Sequence, residues 1–205
     1  FFQAEDGIRD VAVTGVQTCV FRSCDLIVIH AALGHSFEEL ITQAHKLAPK
    51  ARVVAASCCG IVGKEGVSES MKDIAIMAVL GPEIGVSSVD QIYGKNSYEK
   101  AREMALDLKR QQPGTNMIYF MASGIDIAND RCIEGIESVF GPEVTIFGAT
   151  SSDNMKGIVS YQAVDGKVFE HGAFLIGFAD PTLEVRTQAT HGFLAIGEPL
   201  VVRSE

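Results

Sequence analysis

No stretch of this chain is basic. Lysine and arginine total 17 against 26 acids, a net charge of −9 with no basic cluster, so a phosphate backbone would be repelled and nucleic acid is excluded as a partner. Nor is any stretch long and apolar. The longest such run, Ile74 to Leu80, falls far short of the ~20 residues that cross a bilayer, so no spanning helix and no membrane partner are expected. Cys19, Cys24, Cys58, Cys59 and Cys132 show no CxxC or other zinc spacing. His30, His35, His45, His171 and His191 form no HExxH or related pair, so neither a metal nor a cofactor is expected.

What is present points to a folded globular chain. Hydrophobic residues make up 47% of 205, enough for a single compact unit and too many for a disordered one. The odd cysteine count fits a reducing, cytoplasmic setting. Residues 1–22 stand apart: they begin without methionine, show no period, and in FFQAEDGIRD and VTGVQTC resemble translated sequencing-adapter read-through. They are read as a non-native leader, the alternative being an irregular amino-terminal arm.

From Asp25 the pattern is regular. Leu26 to His30 is a continuous apolar strand. Ser36 with Glu39 forms a capping box for a helix whose stripe is Phe37, Leu40, Ile41, Ala44 and Ala48, ended by Pro49. Val53 to Ala56 is a second buried strand, leading into Ser57-Cys58-Cys59-Gly60, and Ile74 to Leu80 is a third. A looser stretch follows to Asn96. Ser97 caps a helix carrying Ala101, Met104, Ala105 and Leu108.

The pattern then restarts. Met117 to Met121 is a strand, Ala128, Cys132, Ile136, Val139 and Phe140 form a helical stripe, and Val144 to Phe147 is a further buried strand running into Gly148 to Asn154. Leu26 and Val53 are 27 residues apart, as are Met117 and Val144, which argues for an internal duplication. Ile158 to Val164 and Lys167 to His171 make a hairpin around Asp165-Gly166, and Ala173 to Phe178 corresponds to Ile74 to Leu80. The expected fold is α/β, with internally duplicated β-α-β-β units around a mixed sheet.

Four segments together resemble the FIST domain family (F-box and intracellular signal transduction), in its amino-terminal part. GATSSDN at 148–154 is similar to a GGSAGDN-like motif, and SCCGIVGKEGVSES at 57–70 to a GCSTAGEI-type segment. DGKVFEHGA at 165–173 resembles an NGxVxxDGA-like hairpin, and HGFLAIGEP at 191–199 a junction into the family's carboxy-terminal part. The resemblance covers about residues 24–199. It implies a cytoplasmic sensory domain over 23–190 that binds small ligands such as amino acids, with 191–205 as a linker into a missing domain. The implied outputs are histidine kinases, chemoreceptors or cyclic-nucleotide enzymes. Two departures matter: Cys58 and Cys59 stand where small or hydroxylic residues are usual, and Ala55 where glycine is typical.

Loops at the carboxyl ends of α/β strands hold ligands. Ser57, Thr150, Ser151, Ser152 and Asn154 offer hydroxyls, amides and backbone N–H groups to the carboxylate of a zwitterion, and Asp153 offers a partner for its amine. The plain alternative is that these residues satisfy their own turn. Cys58, Cys59 and Gly60 are expected ligand contacts in the same site, and the cysteine pair also invites a nucleophile reading with His30 or His35 as base, against simple packing of two small hydrophobes. His30 and His35 are taken as equivalents of Ser123 and Asp126, lining the same cleft. The ligand is expected between Ser57-Cys58 and Thr150–Asn154, with no catalytic residue. The competing readings are a cysteine-dependent enzyme and a protein-interaction module.

Overall fold

The computed structural model describes residues 24–63, 66–81, 83–154, 156–183, 185 and 196–197. The expectations for residues 1–22 and, Ile196 and Gly197 apart, for 191–205 fall outside them.

Alternation along the strands sorts the apolar residues into layers. In β1 (Leu26–Ala31), Ile27 and Ile29 point one way and Leu26 and Val28 the other, and all four are buried, so the strand must be covered on both faces. The outer cover is α1 (Phe37–Leu47), whose Phe37, Leu40, Ile41 and Ala44 pack on Ile27, Ile29, Val53 and Ala55. Ser36 caps this helix by accepting the Glu39 N–H at 3.2 Å. β2 (Arg52–Ser57) lies parallel to β1, and β5 (Ile74–Val79) pairs antiparallel on its other side. Between them the short β3 (Ile61–Gly63) and β4 (Gly66–Ser68) form a separate hairpin.

The second half builds a matching unit. β7 (Met117–Ser123) and β8 (Thr145–Ser151) are parallel, joined through α3 (Asn129–Phe140), and β11 (Ala173–Phe178) lies antiparallel beside β7. Three equivalent backbone bonds mark the duplication. Asp25 N–H to Val79 O, Ala32 N–H to Asp73 O and Arg52 N–H to Asp25 O reappear as Asn116 to Phe178, Ser123 to Gly172 and Thr145 to Asn116. The antiparallel registers also agree, Leu26 opposite Val79 and Met117 opposite Phe178.

The expected mixed sheet core is divided between two mixed sheets, because each half lends strands to the other. β6 (Ile84–Val89) joins the second sheet, in the order β6-β11-β7-β8. β9 (Gln162–Val164) and β10 (Lys167–Phe169) join the first, in the order β10-β9-β2-β1-β5. The sheets face each other across Leu26, Val28, Val54, Ala56, Val86, Met121, Phe174 and Ile176. α2 (Ser97–Gln111) and α3 cover the far side through Met104, Leu108, Cys132 and Ile136. The result is four layers, helix, sheet, sheet, helix pair.

Several local expectations need correction. β6 lies in the stretch read as loose, since Gly85, Ser87 and Ser88 dilute its apolar pattern. Asn96 precedes α2, and Ser97 is its first residue, its buried hydroxyl donating to Tyr93 O at 2.8 Å. The first hairpin arm is a strand only over Gln162–Val164, although positive φ at Asp165 and Gly166 supports the expected turn. β8 is an edge strand rather than a buried one, with Phe147 to Thr150 exposed on its open side.

Gly148 marks where β8 presses on β7. Its φ is +150°, and a Cβ there would stand 1.8 Å from Phe120 O, whereas at Gly157, with φ +66°, nothing lies within 4 Å. Gly148→Ala is expected to cost about 3 kcal/mol or more, and Gly157→Ala about 1–2 kcal/mol, measured by urea denaturation.

Candidate functional site

The carboxyl ends of the parallel strands in both sheets meet at one end of the sandwich. Leaving β2, Ser57 accepts the Ser152 N–H on its carbonyl at 3.0 Å, so the exits of β2 and β8 touch. The Cys58 N–H returns to Ala31 O at 3.0 Å, tying in the exit of β1. The two loops expected to face a common cleft are therefore direct neighbours.

Most of the polar side chains gathered there are already bonded to the protein. The Ser57 hydroxyl is buried and accepts the Tyr161 N–H at 2.9 Å. Ser123 accepts the Ile125 N–H at 3.2 Å and shares a hydrogen bond with Ser160 at 3.1 Å. Ser151 donates to Ala122 O at 3.0 Å and accepts from the Gln162 amide. That amide also donates to Ser160 at 3.2 Å, and its oxygen accepts the Gly172 N–H at 2.8 Å. Asp153, 4% exposed, takes the Ile158, Gly157 and Val159 N–H groups at 2.6, 2.8 and 3.1 Å. These bonds, that from Ile158 foremost, hold its carboxyl below the usual carboxylate range. The turn thus uses the acid that was expected to face a ligand amine.

The accessible polar groups of the loops are fewer. Thr150 is exposed, and Ser152, Cys58 and Gly60 are half-buried. Cys59 is exposed. Asn154 holds a φ of +57°, and its amide nitrogen contacts the Met71 sulfur. Its side-chain oxygen is buried with no partner among the described residues.

His30 and His35 separate. His35 donates from Nε2 to Lys72 O at 2.9 Å. His30 lies between the sheets, with Nε2 3.1 Å from the Tyr119 hydroxyl. The shared register makes Ala32 the equivalent of Ser123 and His30 the equivalent of Met121, so the pairing of His30 with Ser123 is corrected. Desolvation pushes the His30 pKa down and that of Tyr119 up to about 12, so both groups are neutral at pH 7. Burial also raises the Cys58 thiol, opposed by the Gly60 N–H and reinforced by Cys59 and Asp73. A thiol held protonated is a poor nucleophile at neutral pH. Among the described residues no cluster of His, Cys, Asp or Glu could hold a metal.

Gln162, Ser160 and Tyr119 were not among the expected site residues. Ser160, Gln162 and Val164 alternate, so a glutamine in an inward position was a readable signal for Gln162. For Tyr119 the sequence carried none, because its partner His30 is 89 residues away and in the other sheet.

The FIST N domain model matches residues 25–204. The chain belongs to the FIST family. A search among curated proteins finds no match. The FIST domain is associated with signal transduction, and its family is not typically enzymatic. Among the described residues of this FIST domain, no helix is long and apolar enough to cross a membrane.

Two measurements separate scaffold from site. Gln162→Leu leaves the Gly172 N–H unpaired and is expected to cost about 1–3 kcal/mol in urea denaturation, whereas Cys59→Ser, at an exposed position, should stay within about 0.5 kcal/mol. The fold favours neutral His30. Its stabilising contribution is therefore complete above about pH 6.5 and is lost as pH falls through the lowered folded-state pKa. Thermal melts from pH 7.5 to 5 should show a declining Tm, with a smaller decline in His30→Gln.

Proposed function

We propose that this FIST domain is a cytoplasmic sensory module that binds a small ligand, an amino acid or related metabolite, and passes the signal to an output domain or protein. In this reading residues 23–190 form the sensor and 191–205 lead towards the output. The observation that carries it is the contact of the β2 and β8 exits through Ser152 and Ser57, which places loops from both halves of the duplication at one end of the sandwich. Ligand contacts are assigned to Cys58, Cys59, Gly60, Thr150, Ser152, Asn154 and His30. Ser57, Ser123, Ser151 and Asp153 hold those loops in place through the bonds described above. Placement between two units also suits signalling, since a ligand touching both changes the balance between them.

Residues 23–205 should be melted against a panel of amino acids. At a free ligand concentration of 100 times Kd, binding to the native state alone adds about 2.7 kcal/mol, a rise in Tm of roughly 5–10 °C for a chain of this size. A flat response across the panel would sink the reading.

A further inference from the structure

The space between the sheets is not equally covered on its two sides. One side ends in β5 and β8, each the last strand of its sheet. The pleat aims Ala75, Met77 and Val79 of β5 to the same side as their cross-strand partners His30, Val28 and Leu26, and the latter two belong to the core between the sheets. In β8, Phe147 and Ala149 share a side with Tyr119 and Met121, which border the same core. Side chains aimed into that layer should be covered. Met77 is instead 54% exposed and Phe147 40% exposed, so the layer opens to solvent between the two edge strands.

A polar pair borders this opening. The 3.1 Å bond from His30 to Tyr119 joins the two sheets, and the Tyr119 ring lies 5.2 Å from that of Phe147 and 6.3 Å from that of Phe174. Among the described residues the His30 ring makes one hydrogen bond, through Nε2. The contact of Asn154 with Met71 links the exit of β8 to the segment before β5 and bounds the opening at one end.

We propose that this opening receives the large apolar side chain of an amino acid or related metabolite, packed between Met77 and Phe147, with His30 Nδ1 available for one hydrogen bond. The inference rests on the sensory reading above and specifies its ligand. A charged side chain would lose its water beside a neutral imidazole and phenol and find no counter-charge there. A long aliphatic or aromatic one would cover apolar surface that is now wet. The loop residues Thr150 and Asn154 are left for the polar end of the ligand.

Calorimetric titration of the 205-residue chain with phenylalanine, leucine and methionine, against glutamate, lysine and serine, tests this. The apolar set should bind at least about tenfold more tightly than the polar set. Phe147→Ser and Met77→Ser, both at exposed positions, should each weaken binding about tenfold while the ligand-free Tm stays within a few degrees. If either variant folds poorly, the other carries the comparison, with His30→Gln as a third. Tighter binding of the polar set, or unchanged affinity in the folded variants, would place the ligand elsewhere and overturn this inference while leaving the sensory reading intact. If no amino acid binds the unaltered chain, the sensory reading itself fails, and this inference with it.

Discussion

A carboxamide with no exposed surface must find its partners inside the protein, and Gln162 finds them close by in the chain but on both sides of the boundary between the two sheets. Its nitrogen reaches Ser151 at the end of β8 and Ser160 on its own segment, and its oxygen takes the Gly172 N–H before β11. Gln162 itself belongs to the first sheet, while β8 and β11 belong to the second. The bonds are satisfied together only when the two sheets are stacked in one arrangement. A buried polar network of this kind contributes less to net stability than to selecting that arrangement over its neighbours.

The exchange of strands makes such a device necessary. Each βαβ unit with its antiparallel third strand could be assembled locally, but β6 comes from the first half and completes the second sheet, and β9 and β10 do the reverse. Neither sheet is complete without chain from both halves. Apolar packing of Leu26, Val28, Phe174 and Ile176 drives the stacking without specifying it closely, because dispersion and burial are indifferent to direction. The hydroxyl and amide bonds at the strand exits supply the direction.

The same network redistributes function among the loop residues. Small polar side chains after a strand suggest a ligand site and a self-satisfied turn equally, and here both descriptions apply to different residues. Ser57, Ser123, Ser151 and Asp153 have their hydrogen-bonding capacity taken by Tyr161, Ser160, Gln162 and the Gly157 to Val159 backbone. Thr150 and Cys59 reach solvent. The Cys58-Cys59 pair, the most chemically conspicuous feature of the sequence, lies in a setting that keeps the Cys58 thiol protonated, which weakens the case for a nucleophile.

By itself the sequence determined the elements whose cause is local: the stripe of α1, the Asp165-Gly166 turn, the buried character of β1, β2 and β7, and the duplication written in the repeated strand, helix, strand order. The equal 27-residue spacing is not kept, since Leu26 pairs with Arg52 and Met117 with Thr145, but the order of elements depends on neighbours within a few residues and can be read along a line. The tertiary structure decided the rest. It split the core into two sheets, left β5 and β8 as open edges, joined His30 to Tyr119 across 89 residues and bonded four expected ligand residues to the scaffold. Each of these depends on which strand ends beside which. That choice is made by packing between distant segments, where one apolar strand serves as well as another until the buried hydrogen bonds are matched.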